Sequence, residues 1–323
     1  MQDGAQNGTS MQGDGHAGLR TCSHQVGGHM KKADHTPDTF VDDVGNFYKP
    51  FQDVRSAREA AFYQAVWPVP LRCELPPALQ RQQGSEEGAA EREHAEVLQG
   101  RWGHGEAYGT QQAVPDPRDM EGLRAFVPKY CGLVFLHGRK YLVLKDVCSQ
   151  YQQPCVLDVK MGFKSHYEWA DEKYKAKCRL KDETTLQPSL GFRVCGLQVY
   201  QPATDQMHRK DRAWCKTITK ERVGEPFHIF AGGGLSAQSL YHDPDHGVLS
   251  QLRKVRAWFE AQRSMQFFQA SLLFTYEGTA RSAAEANVQV HMIDFAHTFP
   301  SIGHRDDNVL LGLLSLISIL EKC

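Results

Sequence analysis

The stretch Pro154-Cys-Val-Leu-Asp-Val-Lys-Met-Gly162 constrains this chain more than any other. Val156, Leu157 and Val159 favour an extended strand, and a strand's period of two sends Asp158 and Lys160 to one face. An acid and a base therefore stand side by side near the strand end, where Gly162 lets the backbone turn sharply. Taken alone, such a pair is most often a solvated ion pair on a sheet surface, worth little to stability. Its surroundings in the chain decide whether it is more.

A chain of 323 residues has room for one large domain or for two lobes around a cleft. Lys and Arg number 37 against 38 Asp and Glu, a formal charge of −1, so there is no global pull toward nucleic acid or an anionic membrane. Any anion site must be local. Nine cysteines without a CxxC pair or regular spacing fit a reducing compartment better than a disulfide framework. The opening MQDGAQNGTSMQGDG lacks the apolar run of a secretory signal, and the apolar stretch Val309 to Leu320 is too short to span a bilayer. The expectation is an intracellular protein, nuclear or cytoplasmic, monomeric, with no membrane span and no direct nucleic-acid partner.

Residues 1–20 are rich in Gly, Gln, Asp and Ser and read as a disordered tail. Thr39 to Val41 and Phe47 to Phe51 flank a turn at Asp43-Val44-Gly45-Asn46, and Leu133 to Leu136 and Lys140 to Leu144 flank another at His137-Gly138. Between these hairpins, Arg58 to Val66 reads as a short helix burying Ala61, Phe62 and Ala65. Residues 81–117 turn to Gln, Glu, Gly and Arg and read as a surface insertion, with order resuming at Phe126. Its Gly103-His104-Gly105-Glu106 follows no strand and is not a dinucleotide fingerprint.

Beyond the central motif the pattern predicts a helix over Trp169 to Asp182 and a strand over Gly191 to Gln201. A polar loop with His208-Arg209-Lys210 and a short strand around Trp214 to Ile218 come next. Gly232-Gly233-Gly234 marks a turn; no GxxxxGK[ST] occurs, which excludes a Walker loop. Gly247 to Met265 forms an amphipathic helix with Asp245 as its expected cap, and Ser271 to Glu277 and Val288 to Phe295 form the last strands. Asp307 or Asn308 is expected to cap a closing helix through Leu320. Gly303 to Asn308 mimics a protein-kinase catalytic loop, but Leu311 stands where that loop needs Asn.

Three features carry chemistry. Gly27-Gly28 precede the first hairpin, where bare backbone N–H groups can approach an anion. Lys173, Lys177 and Lys181 share one helix face. Such a stripe is more often solvated than an anion site. Asp294 leaves the last strand, a geometry that holds Mg²⁺ against phosphate oxygens, though a lone buried Asp is commonly a turn cap.

Four marks in order tie these features together: HQVGGHM, PxxxDxKxG, SLLFTYEG and MIDFAH. Together they resemble the inositol polyphosphate kinase family, whose members transfer the ATP γ-phosphoryl group to an inositol phosphate. The resemblance implies an α+β, two-lobed fold of the protein-kinase-like or ATP-grasp-like kind. Its small antiparallel β lobe would span residues 21–144 around the insertion, and its larger α+β lobe residues 145–323.

The resemblance also implies ATP and Mg²⁺ as cofactors and assigns roles. Lys49 falls to the ATP phosphates, the Lys145 carbonyl and Val147 amide to the adenine edge, Asp158 to the ribose and Asp294 to Mg²⁺. Lys160 falls to the reacting hydroxyl and transferred phosphate, and Lys177, Lys181, Arg55, Lys216 and His297 to the inositol phosphate. The short segment between Gly162 and Gly191 favours the multikinase branch over the trisphosphate 3-kinases. Hexakisphosphate kinases, which make pyrophosphates, and a catalytically silent adaptor are the alternatives.

Overall fold

Two antiparallel five-stranded sheets, following one another along the chain, frame the computed structural model, which describes residues 18–26, 39–68, 74–77, 79, 114–136, 138–301 and 303–323. The first sheet holds β1 (Leu19–Thr21), β2 (Phe40–Asp42), β3 (Asn46–Pro50), β4 (Tyr130–Leu136) and β5 (Arg139–Lys145), in the order β1-β2-β3-β5-β4. Buried Asp42 fixes its first hairpin, accepting from the Val44 amide at 3.0 Å, the Asn46 amide at 2.8 Å and the Tyr48 hydroxyl at 2.7 Å. Gly45 closes the turn at φ +78°, a conformation other residues enter only with strain.

Helical segments lie between β3 and β4, two of them described along their length. Helix α1 (Val54–Val66) starts four residues before the predicted Arg58, because the Asp53 carboxylate caps the amides of Arg55 and Ser56. Helix α2 (Pro117–Leu123) overlaps the predicted insertion and precedes Phe126, where order was expected to resume. Pro at its first position and Asp116 capping Arg118 are an N-terminal signature that the sequence reading passed over. Residues 81–113 of the insertion, the tail through residue 17 and the glycines at 27 and 28 lie outside the described residues, while Leu19 and Arg20, read as part of the tail, belong to β1.

The second part of the chain runs β6 (Pro154–Met161), α3 (Glu172–Glu183), α4 (Gln187–Leu190), β7 (Phe192–Gln201), β8 (Gln206–Lys210), α5 (Arg212–Cys215), α6 (Glu225–Ala231), α7 (Ala237–His242) and α8 (Val248–Ala261). It closes with β9 (Met265–Phe267), β10 (Ser271–Glu277), α9 (Ala283–Ala286), β11 (Gln289–Ile293), β12 (Thr298–Pro300) and α10 (Asp307–Leu320). The sheet order is β11-β10-β6-β7-β8, which puts the central motif on the middle strand. Strands β9 and β12 pair separately.

Several local expectations are corrected. His208-Arg209-Lys210 is no loop: it belongs to β8, an edge strand paired with β7. The strand expected around 214–218 is replaced by α5, capped by Asp211 through the Trp214 amide. Helix α3 begins at Glu172, not Trp169, since Asp171 caps the Tyr174 amide. Asp245 does not cap α8; Asp243 instead accepts from the amides of Asp245 and His246. The cap of α10 is Asp306, whose buried carboxylate accepts from Val309 at 3.0 Å and from Phe267 of β9 at 2.6 Å. Asn308 serves the Lys164 backbone instead.

The main core crosses between the two parts of the chain. Phe62 of α1 stacks on Phe295 beyond β11 with ring centroids 3.9 Å apart, and Tyr63 meets the same ring edge-on. Helix α1 is thus a joint, not a surface element of the first sheet. A smaller cluster, including Tyr48, Tyr141 and Val143, covers the sheet's other face. Among the described residues, no helix is long and apolar enough to cross a membrane.

Helix α10 approaches β7 so closely that a Cβ on Gly312 would lie 2.1 Å from the Gly191 carbonyl oxygen. Backbone cannot yield there as a flexible side-chain tip would. Gly312→Ala is expected to lose roughly 1–3 kcal/mol in urea unfolding, whereas Leu311→Ala, at a half-exposed position one residue earlier, should stay within about 0.5 kcal/mol.

Candidate active site

Strand β6 delivers Asp158 and Lys160 to the same cavity, as its period requires. In register, Asp158 faces Leu273 on one side and Gly196 on the other, and a bulge in the pairing with β7 follows it directly. Asp158 is 5% exposed, and its Oδ1 has no hydrogen-bond partner. Burial pushes this carboxyl's pKa up, with Lys160 pulling the other way. A buried, unpartnered carboxylate oxygen facing a cavity is what a ligand hydroxyl or cation would satisfy.

Asp294 follows β11 in the left-handed region at φ +66°, which turns its carboxylate out of the sheet direction. Two ammonium groups hold it. Lys160 Nζ donates to Oδ2 at 2.9 Å and also to the Gln269 carbonyl at 2.7 Å. Lys49 Nζ, from β3, donates to Oδ1 at 3.2 Å and to Glu59 of α1 at 2.8 Å. Burial opposes ionisation of Asp294, but Lys160 and Lys49 outweigh it and hold the carboxyl well below the usual range. Burial likewise opposes the charge on Lys49, and Glu59 with Asp294 keeps it protonated.

The array sits between two cavities. One, of about 160 Å³, is lined by Lys49, Glu59, Lys145, Asp146 and Val147 with apolar Leu144, Val156 and Leu273. It combines apolar walls with a peptide edge at the junction between the sheets, suiting a flat heteroaromatic ring. The other, of about 420 Å³, is lined by six basic residues, Lys160, Lys181, Arg193, Arg209, Lys210 and Arg212, against three acids, Asp158, Asp211 and Asp294. Arg193 is part-buried, and its Nη1, itself buried, has no hydrogen-bond partner; Asp182 is its ion-pair partner at a loose 3.8 Å. Gln25, Val26, Asp158 and Asp294 line both cavities.

Val26 reaches this seam because the segment after β1 crosses onto the second sheet. Its carbonyl oxygen lies 2.0 Å from where a Cβ on Gly196 would stand, so only glycine at 196 admits it. Residues 27 and 28 follow immediately.

The structure brings Lys49, Asp158, Lys160 and Asp294 together, with Lys145 and Val147 in the smaller cavity and Lys181 in the larger. The other predicted residues lie apart. Lys177 is exposed and lines neither cavity. Arg55 is exposed and paired with its neighbour Asp53 at 2.6 Å. Lys216 lies in an adjoining groove that shares Lys181 and Arg193 with the larger cavity. His297 stacks on Tyr174, and burial and nearby Arg58 lower its pKa to about 4, so it is neutral near pH 7.

Sequence reasoning missed Glu59, Arg193, Arg209, Lys210, Arg212 and Gln269. Gln269 is strained at φ +61° and receives Lys181 Nζ at 3.1 Å, while its own amide donates to Ser165 and Tyr174. Only the basic run at 208–210 carried a signal, and its use depended on recognising an edge strand.

The chain's relations agree with this geometry. A family model described as inositol polyphosphate kinase matches residues 141–321. An inositol polyphosphate multikinase from Oryza sativa subsp. indica is 33% identical over 94% of this chain and 93% of its own length. Inositol hexakisphosphate kinase 3 of Mus musculus is 31% identical but shares only 56% of this chain and 50% of its own.

Among solved structures, an inositol phosphate multikinase studied by protein engineering is similar with TM-score 0.56 and 30% identity, over 67% of this chain and 96% of that one. The multikinase Ipk2 of S. cerevisiae, solved with ADP and Mn²⁺, shares the fold with TM-score 0.53 and 20% identity, over 72% and 95%. With a family model matching more than half of its length and a relative one-third identical along nearly all of it, this chain belongs to the inositol polyphosphate kinase family.

Proposed function

We propose that this protein is an ATP-dependent inositol polyphosphate multikinase, phosphorylating free hydroxyls of inositol trisphosphate and tetrakisphosphate toward the pentakisphosphate. One observation carries the reading: the Lys49–Asp294–Lys160 array stands on the seam between an apolar cavity and a basic one. The smaller cavity takes the nucleotide, with main-chain groups of Lys145 and Val147 at the adenine edge and Asp158 at the ribose. The larger takes a substrate bearing several phosphates. The near-complete overlap with multikinases, against half-length overlap with a hexakisphosphate kinase, favours hydroxyl phosphorylation over pyrophosphate synthesis.

Phosphoryl transfer asks a protein mainly for alignment and charge neutralisation. Asp294, ionised and partly exposed, is a hard oxygen donor that suits Mg²⁺, while the unpartnered oxygen of Asp158 is free to accept from a ribose hydroxyl. When bound, the metal screens the phosphate charge. Lys49 donates toward the ATP phosphates from β3. Lys160, already carrying two hydrogen bonds that fix its Nζ, faces the reacting hydroxyl and the transferred group. Arg193, with its free buried Nη1, and Lys181 meet substrate phosphates.

Asp294→Asn is expected to lower kcat by roughly a hundredfold or more while unfolding remains cooperative, because the charge that holds both lysines and the metal is lost. Turnover near that of the unsubstituted enzyme would remove Asp294 from the site. Lys181→Ala should raise KM for inositol phosphate by roughly tenfold and leave KM for ATP nearly unchanged. Lys177→Ala, outside the cavity, serves as the comparison and should change neither by more than about twofold.

Lys181 also sets a pH dependence. Burial, then Arg193 and Lys160, lower its pKa to about 8. Protonated below that value, it attracts phosphate; as pH rises through it, the charge and the attraction are lost. KM for inositol phosphate should therefore climb roughly three- to tenfold between about pH 7 and about pH 9. Lys181→Arg, which stays charged, should flatten the climb. An unchanged profile in that variant would assign the titration to another group.

A further inference from the structure

Two short segments far apart in sequence converge beside the nucleotide cavity with four metal-ligand side chains. Cys22-Ser23-His24 leaves β1, and Asp146-Val147-Cys148 follows β5, each presenting two donors separated by one residue. His24 Nε2 lies 3.1 Å from Asp146 Oδ1. The ligand atoms of His24, Asp146 and Cys148 all fall within 4.8 Å of one another, and Cys22, two positions before His24, lies on the wall of the same cavity. Cys22 and Cys148 are both buried and carry free thiols.

We propose that Cys22, His24, Asp146 and Cys148 form a binding site for a soft divalent cation, Zn²⁺, that staples the N-terminal segment to the hinge between the sheets. The donor set of two thiolates, one imidazole and one carboxylate selects zinc over magnesium or calcium, which prefer all-oxygen shells. Donors around a tetrahedral zinc sit roughly 3–4 Å apart, so His24, Asp146 and Cys148 need only a small contraction, and the Cys22 thiol closes in from the same cavity wall as the fourth donor. Supporting hydrogen bonds are in place: the Cys148 amide donates to Asp146 Oδ1 at 2.9 Å, and the Cys22 amide to the Thr39 carbonyl at 3.3 Å.

The staple has a definite consequence. It holds the root of the segment whose Val26 wedges against Gly196 and lines both cavities. The same His24–Asp146 contact without metal would be an ordinary buried pair, and the two thiols would then have no shared role. Zinc binding does not depend on which inositol phosphate is the substrate.

The test uses the full chain purified without added chelator. Metal analysis should find about one zinc per chain, and cobalt(II) replacing it should give the thiolate charge-transfer and visible bands of a tetrahedral site. Cys22→Ser and Cys148→Ser should each weaken zinc binding by roughly tenfold to a hundredfold, while Cys323→Ser leaves it unchanged. Added Zn²⁺ should raise the melting temperature of the unsubstituted protein, and a zinc-selective chelator should reverse this. Absence of zinc together with absence of a cobalt spectrum in the unsubstituted chain overturns the proposal, as does a spectrum that both serine variants leave unmoved. Should a serine variant fail to fold, the cobalt spectrum of the unsubstituted chain still decides.

Discussion

The Asp294 carboxylate, clasped between Lys49 and Lys160, is the interaction on which the arrangement of this protein depends. Each lysine comes from a different sheet, so the pair of contacts fixes the two sheets relative to one another. Glu59 and its neighbour strengthen the joint: Glu59 accepts from the Phe295 amide at 3.2 Å, and Arg58 donates to the Ala296 carbonyl at 2.7 Å. Helix α1 thereby reads the backbone on the far side of Asp294 while its Phe62 stacks on Phe295. Buried charges are costly unless paired, and removing one partner of such a pair is worse than never having made it. The array meets that cost by sharing every charge, which holds Lys49, Lys160 and Asp294 in place without a ligand.

A near-neutral chain can still build a strongly basic wall. The excess of basic over acidic residues around the larger cavity comes largely from one place, the end of β8 and the start of α5. Arg209, Lys210 and Arg212 stand there on an edge strand and the turn beyond it. Charged residues on an edge also discourage pairing with a second chain, so one cluster guards the edge and faces the anion cavity. Arg193 on the neighbouring strand is the complement: part-buried, loosely paired, and with a donor left over.

Sequence made some of this site legible and hid the rest for physical reasons. Asp158 and Lys160 could be placed on one face because a strand has a period of two, and Asp294 because a carboxylate at a strand end must leave the sheet. Glu59 was hidden, since nothing in an amphipathic helix says that one acid will meet residues some 235 positions later. Gln269 was hidden because its role rests on a left-handed backbone that no propensity favours for glutamine. The lysine stripe misled in part: helical spacing puts Lys177 and Lys181 on one face, but only the last turn of α3 reaches the cavity. The strand expected near Trp214 failed to a cap, as Asp211 nucleated a helical turn where the apolar pattern suggested extension.

The two cavities touch along a line defined by Gln25, Val26, Asp158 and Asp294. Under the proposed function a phosphoryl group crosses that line, and three of the four residues are fixed there by backbone constraints rather than by side-chain choice. Val26 is fixed because its carbonyl occupies the space a Cβ on Gly196 would need. Asp158 is fixed because it lies opposite that same glycine, at the bulge between β6 and β7. Asp294 is fixed by its left-handed turn. A larger residue at 196 would push Val26 off the seam and disturb the strand partner of Asp158 at once. Both cavities therefore depend on a single close approach of main chain to main chain, and under the proposed function that approach sets the line along which nucleotide and acceptor meet.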